Sequence, residues 1–346
     1  MEENIVDRRY LRVLEPWNGG HTPFDTGFGN RLLHLEACYI LLQASNPYHF
    51  LELEGRYWKE AKYLDLPGCF VRDYRHHIEQ GQKWLGTYDL DYVNDKITKL
   101  SKIGNETVEK FLKTGEIKIP EPRYYFDFDW DYVNKIIKKG DELKIKPGLR
   151  SLRLKNTDIK NAISKIANNT VGLHIRRGNG VYKSKKNYKE LPPSVEVNED
   201  YRAIPGTIYK YWNDHKYISI MKEILFFNPK QKFYLSCDLL SEEYEHLKEK
   251  YPGTIFTRKD VINLLSKETK QGIDFSSVND LKRVAIETVI DMFCLSNGSF
   301  LVGAPHSTWV DAIIRMNKIP YDRIHHPVDV IINSYNIGKE TYNKML

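Results

Sequence analysis

From Thr170 onward, short apolar runs alternate with amphipathic segments, and this alternation limits the possible folds more than any other feature of the chain. Thr170 to Ile175, Lys232 to Cys237, Thr254 to Phe256 and Ser299 to Val302 read as strands. Helices are expected over 205–226, 241–250, 281–296 and 307–317. Unbroken apolar runs suit strands buried on both faces, and helices returning between them make the pairing parallel. The second half therefore reads as an α/β domain built on a parallel sheet.

The amino-terminal end opens in the same way. Leu11-Arg12-Val13-Leu14 is a strand candidate, followed by a glycine-punctuated loop from Gly19-Gly20 to Gly27-Phe28-Gly29. Residues 30–44 carry Leu32, Leu35, Tyr39 and Leu42 on one helical stripe, and His49 to Leu53 returns to strand character. Residues 60–165 show no such order, with helical pieces and a proline-rich patch at 119–122, and are expected to hold helices and long loops rather than sheet. A chain of 346 residues suits two domains of about 150 each. The expected division is 1–165 and 166–346. Two Rossmann-like halves with a cleft between them would take ligands at the carboxyl ends of their strands.

Composition removes several classes of function. A net charge of +6 spread over this length is too weak for a nucleic-acid binder, which leaves a clustered basic stripe. No stretch approaches the ~18 apolar residues of a spanning helix, so no membrane insertion is expected. The first residues lack the basic-then-apolar order of a signal peptide. Cys38, Cys69, Cys237 and Cys294 lie far apart, which fits neither a zinc cluster nor a disulfide framework. A soluble protein of a reducing compartment is expected. The 23 tyrosines suit sugar surfaces and stacked bases equally.

Three segments could carry chemistry. His174-Ile175-Arg176-Arg177-Gly178-Asn179-Gly180 ends the first strand of the second half. Arginine forks match phosphate oxygens, and the glycines admit an anion closely; a solvated surface loop is the plainer alternative. Gly27-Phe28-Gly29-Asn30-Arg31 opens the first helix, where free backbone N–H groups and the helix dipole favour anions. It lacks the third glycine of a dinucleotide fingerprint and could be a simple tight turn. Asp127-Phe128-Asp129-Trp130-Asp131 has the spacing of a metal-holding Asp-x-Asp pair, but also of a surface strand with its aromatics turned inward. The pairs His76-His77 and His325-His326 are adjacent rather than one helical turn apart, so no metal site is expected there.

Taken in order, four blocks resemble the GDP-fucose-dependent fucosyltransferases, the superfamily of the α-1,6-fucosyltransferases and protein O-fucosyltransferases, and most of all the bacterial nodulation (NodZ-like) enzymes that act on chitooligosaccharides. The blocks are Thr26 to Leu32, Gly172 to Gly180, Phe233 to Asp238 with Tyr251-Pro252-Gly253, and Val289 to Phe293 followed by Gly303 to Thr308. The resemblance implies a GT-B fold: two facing Rossmann-like domains with an inter-domain cleft, the amino-terminal one meeting the acceptor and the carboxy-terminal one GDP. It implies fucose transfer from GDP-fucose to a glycan hydroxyl with inversion, α-1,6 to GlcNAc in the nearest relatives, without a metal or other cofactor.

Arg176 would hold the diphosphate with Arg177 beside it, His174 and Asp291 would read guanine or ribose, and Ser307 would bind a phosphate oxygen. Gly27, Gly29, Asn30 and Asp238 complete the implied donor site. As residues alone, Asp291 sits in an apolar run and needs a partner, Asp238 suits a helix cap, and Ser307 suits the N-cap of the last helix. Where mammalian relatives place a glutamate soon after the arginine pair, this chain has no acid before Glu190, the candidate base, with Glu199 and Asp200 behind it. The same fold with another nucleotide sugar, and a non-catalytic nucleotide- or glycan-binding module, are the alternative functions.

Overall fold

The computed structural model describes residues 10–13, 28–45, 50–54, 59–66, 69–72, 101–118, 123–126, 128–175, 214–237, 245–277, 280–303, 307–316 and 324–325. The chain divides into two compact units, Met1–Lys155 and Asn156–Leu346. The expected boundary at 165 lies ten residues further on, because the helix Thr157–Ala167 packs within the second unit.

The first unit contains a five-stranded parallel sheet. In chain order its elements are β1 (Tyr10–Val13), α1 (Phe28–Ser45), β2 (Phe50–Glu54), β3 (Leu64–Asp65), β4 (Cys69–Arg72), β5 (Ser101–Ile103), α2 (Asn105–Thr114), β6 (Arg123–Phe126), α3 (Trp130–Glu142) and β7 (Arg153–Leu154). The sheet order is β4-β2-β1-β6-β5, and β3 pairs with β7 in a separate antiparallel ribbon. The expectation that 60–165 lacks sheet is therefore wrong: β4, β5 and β6 come from it, and β6 lies beside β1 at the centre. Three- and four-residue strands are too short to display a period, and their partners are remote in sequence.

Helix α1 is buried over almost its whole length, including His34 and Glu36. It packs so close to its neighbours that a Cβ on Gly148 would lie 2.4 Å from Tyr39 Cδ2 and one on Gly140 2.7 Å from Ile40 Cδ1.

The second unit has the four strands expected from the sequence and adds helices at 258–264 and 267–270 and a fifth strand at 324–325; 205–213 and 241–244 of two expected helices lie outside the described residues. Its elements are α4 (Thr157–Ala167), β8 (Thr170–Ile175), α5 (Asp214–Phe227), β9 (Lys232–Cys237), α6 (Glu245–Lys250), β10 (Ile255–Phe256), α7 (Arg258–Leu264), α8 (Lys267–Lys270), α9 (Leu281–Asn297), β11 (Phe300–Gly303), α10 (Thr308–Met316) and β12 (Ile324–His325). Asn156 caps α4 by accepting from Ile159 N at 3.0 Å, and Asp280 caps α9 by accepting from Lys282 N and Arg283 N. The sheet is parallel with order β10-β9-β8-β11-β12.

Period two then sorts its side chains. Val171, Leu173, Ile175, Phe233, Leu235, Phe300 and Val302 form one core with Tyr217, Ile220, Met221 and Ile224 of α5. The alternate residues, Gly172, Tyr234 and Ser236 among them, face α9, where a Cβ on Gly172 would meet Leu295 Cδ2 at 3.0 Å. The polar side chains of the strands are thus gathered on the α9 side. Among the described residues, no helix is long and apolar enough to cross a membrane.

Candidate functional site

Strand β8 is the centre of the second sheet. The chain continues to β9 and β10 on one side and later to β11 and β12 on the other, so the strand order reverses between β8 and β11. Beyond the carboxyl ends of strands at such a switch point, an open α/β sheet has room for a ligand. His174 lies there, paired with Gly303 of β11 on one side and Ser236 of β9 on the other. Its carbonyl accepts from Tyr217 Oη at 3.0 Å, and its buried ring stands 6.4 Å from that of Trp309 on α10.

Gly303 is needed at this place, since a Cβ would come within 2.4 Å of Val310 Cγ2 and push α10 away. Ser307 precedes α10 as its N-cap: its carbonyl accepts from Asp311 N at 3.0 Å. Its hydroxyl does not cap the helix. Ser307 is wholly buried, and its Oγ has no hydrogen-bond partner among the described residues. A buried hydroxyl without a partner is costly, and one at a helix N-terminus is suited to an anion.

Asp291 has the partners that an acid in an apolar helix requires. Tyr234 Oη donates to its Oδ1 at 2.6 Å, Ser236 donates a further hydrogen bond, and Arg258 Nη1 lies 3.4 Å from Oδ2. Arg258 also reaches Glu287 at 3.5 Å, and Arg283 Nε donates to Glu287 at 2.8 Å. Burial raises the Asp291 carboxyl above its usual range, with Arg258 and the two hydroxyls acting against it. Burial also drives the Tyr234 phenol well upward, reinforced by Asp291. Two guanidiniums and two carboxylates thus meet in the α9 layer.

The sequence reading missed Arg258, Tyr234, Ser236, Glu287 and Trp309. One signal was present: Arg283, Glu287 and Asp291 recur every fourth residue, a charged stripe on an otherwise apolar helix.

In the first unit, Gly29 and Asn30 stand in the first turn of α1. The next residue, Arg31, donates both ends of its fork to Glu60 at 2.9 and 3.1 Å and lies 4.7 Å over the Phe28 ring. The Asp127–Asp131 segment is not a strand over its described residues. Asp129 is the N-cap position of α3, joined to Asn105 by two hydrogen bonds of 2.7 and 3.0 Å, and Phe128 is buried against His34. A strand, β6, does precede it. Among the described residues, no group of three or more His, Cys, Asp or Glu side chains could hold a metal ion. Gly27, Arg176, Arg177, Glu190 and Asp238, with Glu199 and Asp200, lie outside the described residues.

No family model matches the chain, and no curated protein sequence matches it. Among solved structures, it is similar to NodZ α-1,6-fucosyltransferase soaked with GDP-fucose, at 12% identity and a TM-score of 0.42, over 90% of this chain and 93% of that one. It is similar to a point variant of Arabidopsis thaliana FUT1 in complex with GDP, at 11% identity and a TM-score of 0.41, over 90% of this chain and 69% of that one. It is also similar to POFUT1 in complex with GDP, at 11% identity and a TM-score of 0.40, over 92% of this chain and 97% of that one.

Proposed function

We propose that the protein is a cytoplasmic inverting glycosyltransferase that moves fucose from GDP-fucose to a hydroxyl of a glycan acceptor without a metal. One observation carries this reading: β8 ends at the switch point beside Gly303 of β11, beyond which stand the buried Ser307 hydroxyl and the α10 N-terminus, and in the sequence Arg176 and Arg177 follow directly on β8. A phosphate-binding sequence and an unsatisfied donor at one strand end suit a nucleoside diphosphate better than a neutral ligand.

In this reading Arg176 and Arg177 hold the diphosphate, Ser307 takes a phosphate oxygen, and His174, Asp238 and Asp291 serve the nucleoside half. The second unit carries the donor. The first meets the acceptor. The acceptor oxygen attacks the anomeric carbon of fucose, the bond to the β-phosphate oxygen breaks, and GDP leaves with the electron pair. Arginine and helix-terminal amides stabilise the charge that grows on the leaving group, the task a metal performs elsewhere. Glu190 takes the acceptor proton, and an α-1,6 linkage to GlcNAc is the acceptor chemistry that the family resemblance implies.

Calorimetry with GDP, GDP-fucose, GDP-mannose and UDP-sugars, followed by transfer to chitooligosaccharides read by mass, tests this. Tight GDP-fucose binding and a product heavier by one fucose are expected, with activity undiminished in excess EDTA. A chain that binds no nucleotide overturns the reading, preference for a UDP-sugar replaces the donor, and binding without transfer makes it a non-catalytic module. Activity lost in EDTA and restored by manganese would move attention to Asp127 and Asp129.

A further inference from the structure

Arg258 is the first residue of α7, and a neighbouring contact fixes that turn: Thr257 N donates to Asp260 Oδ2 at 2.8 Å. Its buried guanidinium spans three elements. Nη2 donates to the Cys237 carbonyl at 3.0 Å and stands 3.6 Å from Cys237 Sγ, while Nη1 lies between Asp291 and Glu287. One side chain thus ties the last residue of β9 to two carboxylates of α9. Cys237 pairs with Ile175, so the fixed carbonyl is level with the end of β8 that carries His174.

Stability alone does not account for this array. Buried ion pairs rarely stabilise a fold more than apolar side chains of the same volume, but they do fix one arrangement against others. Burial opposes the Arg258 charge, yet Asp291, Cys237 and Glu287 hold the side chain protonated beyond its ordinary range. The fork therefore stays charged, planar and directed at the strand end.

We propose that Arg258 is a positioning residue of the nucleotide site, holding the Cys237 carbonyl and the Asp291 carboxylate in the one arrangement that meets the nucleoside half of the donor. This rests on the donor reading above. A lysine keeps the charge, so neither carboxylate is left without a cation, but its ammonium cannot reproduce a planar fork that serves a carbonyl and two carboxylates together. The consequence should fall on ligands that have a nucleoside and spare those that do not.

The test is calorimetry with GDP and with inorganic diphosphate on wild type, Arg258→Lys, Asp291→Asn and Tyr234→Phe. Tyr234→Phe removes one hydroxyl from the same carboxylate with little change of volume. Arg258→Lys should weaken GDP about tenfold or more, Tyr234→Phe about threefold, and both should leave diphosphate within about twofold. In the double variant Arg258→Lys/Asp291→Asn, the GDP loss should be smaller than the product of the single losses, because Arg258 acts through Asp291.

Equal losses for GDP and diphosphate would make Arg258 a residue of the fold only, and unchanged GDP binding would remove it from the site. If Arg258→Lys does not fold, Tyr234→Phe decides on the same criterion. Wild type that binds no GDP overturns the donor reading and this proposal together; wild type that binds GDP beside insensitive variants overturns this proposal alone.

Discussion

In the first unit, a half-buried arginine, Arg31, and a buried glutamate, Glu60, join the first turn of α1 to a nearby short turn by two parallel hydrogen bonds. In the second, Arg258, Arg283, Glu287 and Asp291 form a network that links two helices to the end of a strand. The sheets behind them share one plan, with the first strand of each unit at the centre. What differs is the reach of the charges. A fork-to-fork pair fixes one turn, whereas a branched network transmits position across a layer, and the second unit adds the buried Ser307 hydroxyl, which has no hydrogen-bond partner among the described residues.

The strongest way to break this contrast is at Arg176. If the edge of the second sheet does the chemistry, Arg176→Lys should reduce kcat about 10²-fold or more, because lysine cannot supply two parallel hydrogen bonds to the departing diphosphate. Stability should stay within about 1 kcal/mol. Initial rates and melts on one preparation decide it, and normal turnover would move the diphosphate elsewhere.

The charges themselves come next. Glu287→Gln leaves two buried guanidiniums facing one carboxylate and should cost about 3–5 kcal/mol. Glu60→Gln should cost about 1–3 kcal/mol, since Arg31 retains 12% exposure and water can partly replace the lost charge. Denaturant midpoints at fixed slope compare the two, and equal losses would erase the distinction between pair and network.

Close packing gives a smaller effect. Gly303→Ala should cost about 1–3 kcal/mol by pressing on Val310, and Val310→Ala should restore most of it. Gly148→Ala, pressing on the Tyr39 ring, should cost a similar amount with no such simple rescue.

The smallest effect is one of pH. The backbone N–H of Ser266 holds the Asp158 carboxyl below its usual 3.8. A lowered acid contributes stability above its unfolded value and loses it as pH falls through the folded one. The melting difference between wild type and Asp158→Asn should therefore be constant near neutrality, shrink below about pH 4 and vanish in stronger acid. A difference that grows on acidification would contradict this assignment.

The second sheet was readable from the chain because each of its long strands is a six- or four-residue, mostly apolar run with helical sequence between it and the next. His174 and Ser307 were placed correctly at strand and helix ends for the same reason. The first sheet was half hidden. Arg123 to Phe126 contains an arginine and two tyrosines, and only its pairing with β1 makes it a central strand. Arg258 was invisible because nothing local tells that a residue opening a short helix passes its side chain beneath a distant strand. The Asp-x-Asp spacing suited a surface strand, but Asp129 stands at the N-cap position of α3, where aspartate is equally favoured.

The central position of β8 also bears on how the chain is made. During synthesis β8 can pair with β9 as soon as Cys237 has emerged, but Phe300 to Gly303, which cover its other edge, come much later. Until then a strand that is buried throughout in the folded chain presents a row of open backbone groups, the kind of edge along which nascent chains join one another. The order that makes the switch point thus leaves the same strand exposed on the ribosome, and slower elongation between Cys237 and Phe300 would lengthen the interval in which nascent chains can aggregate.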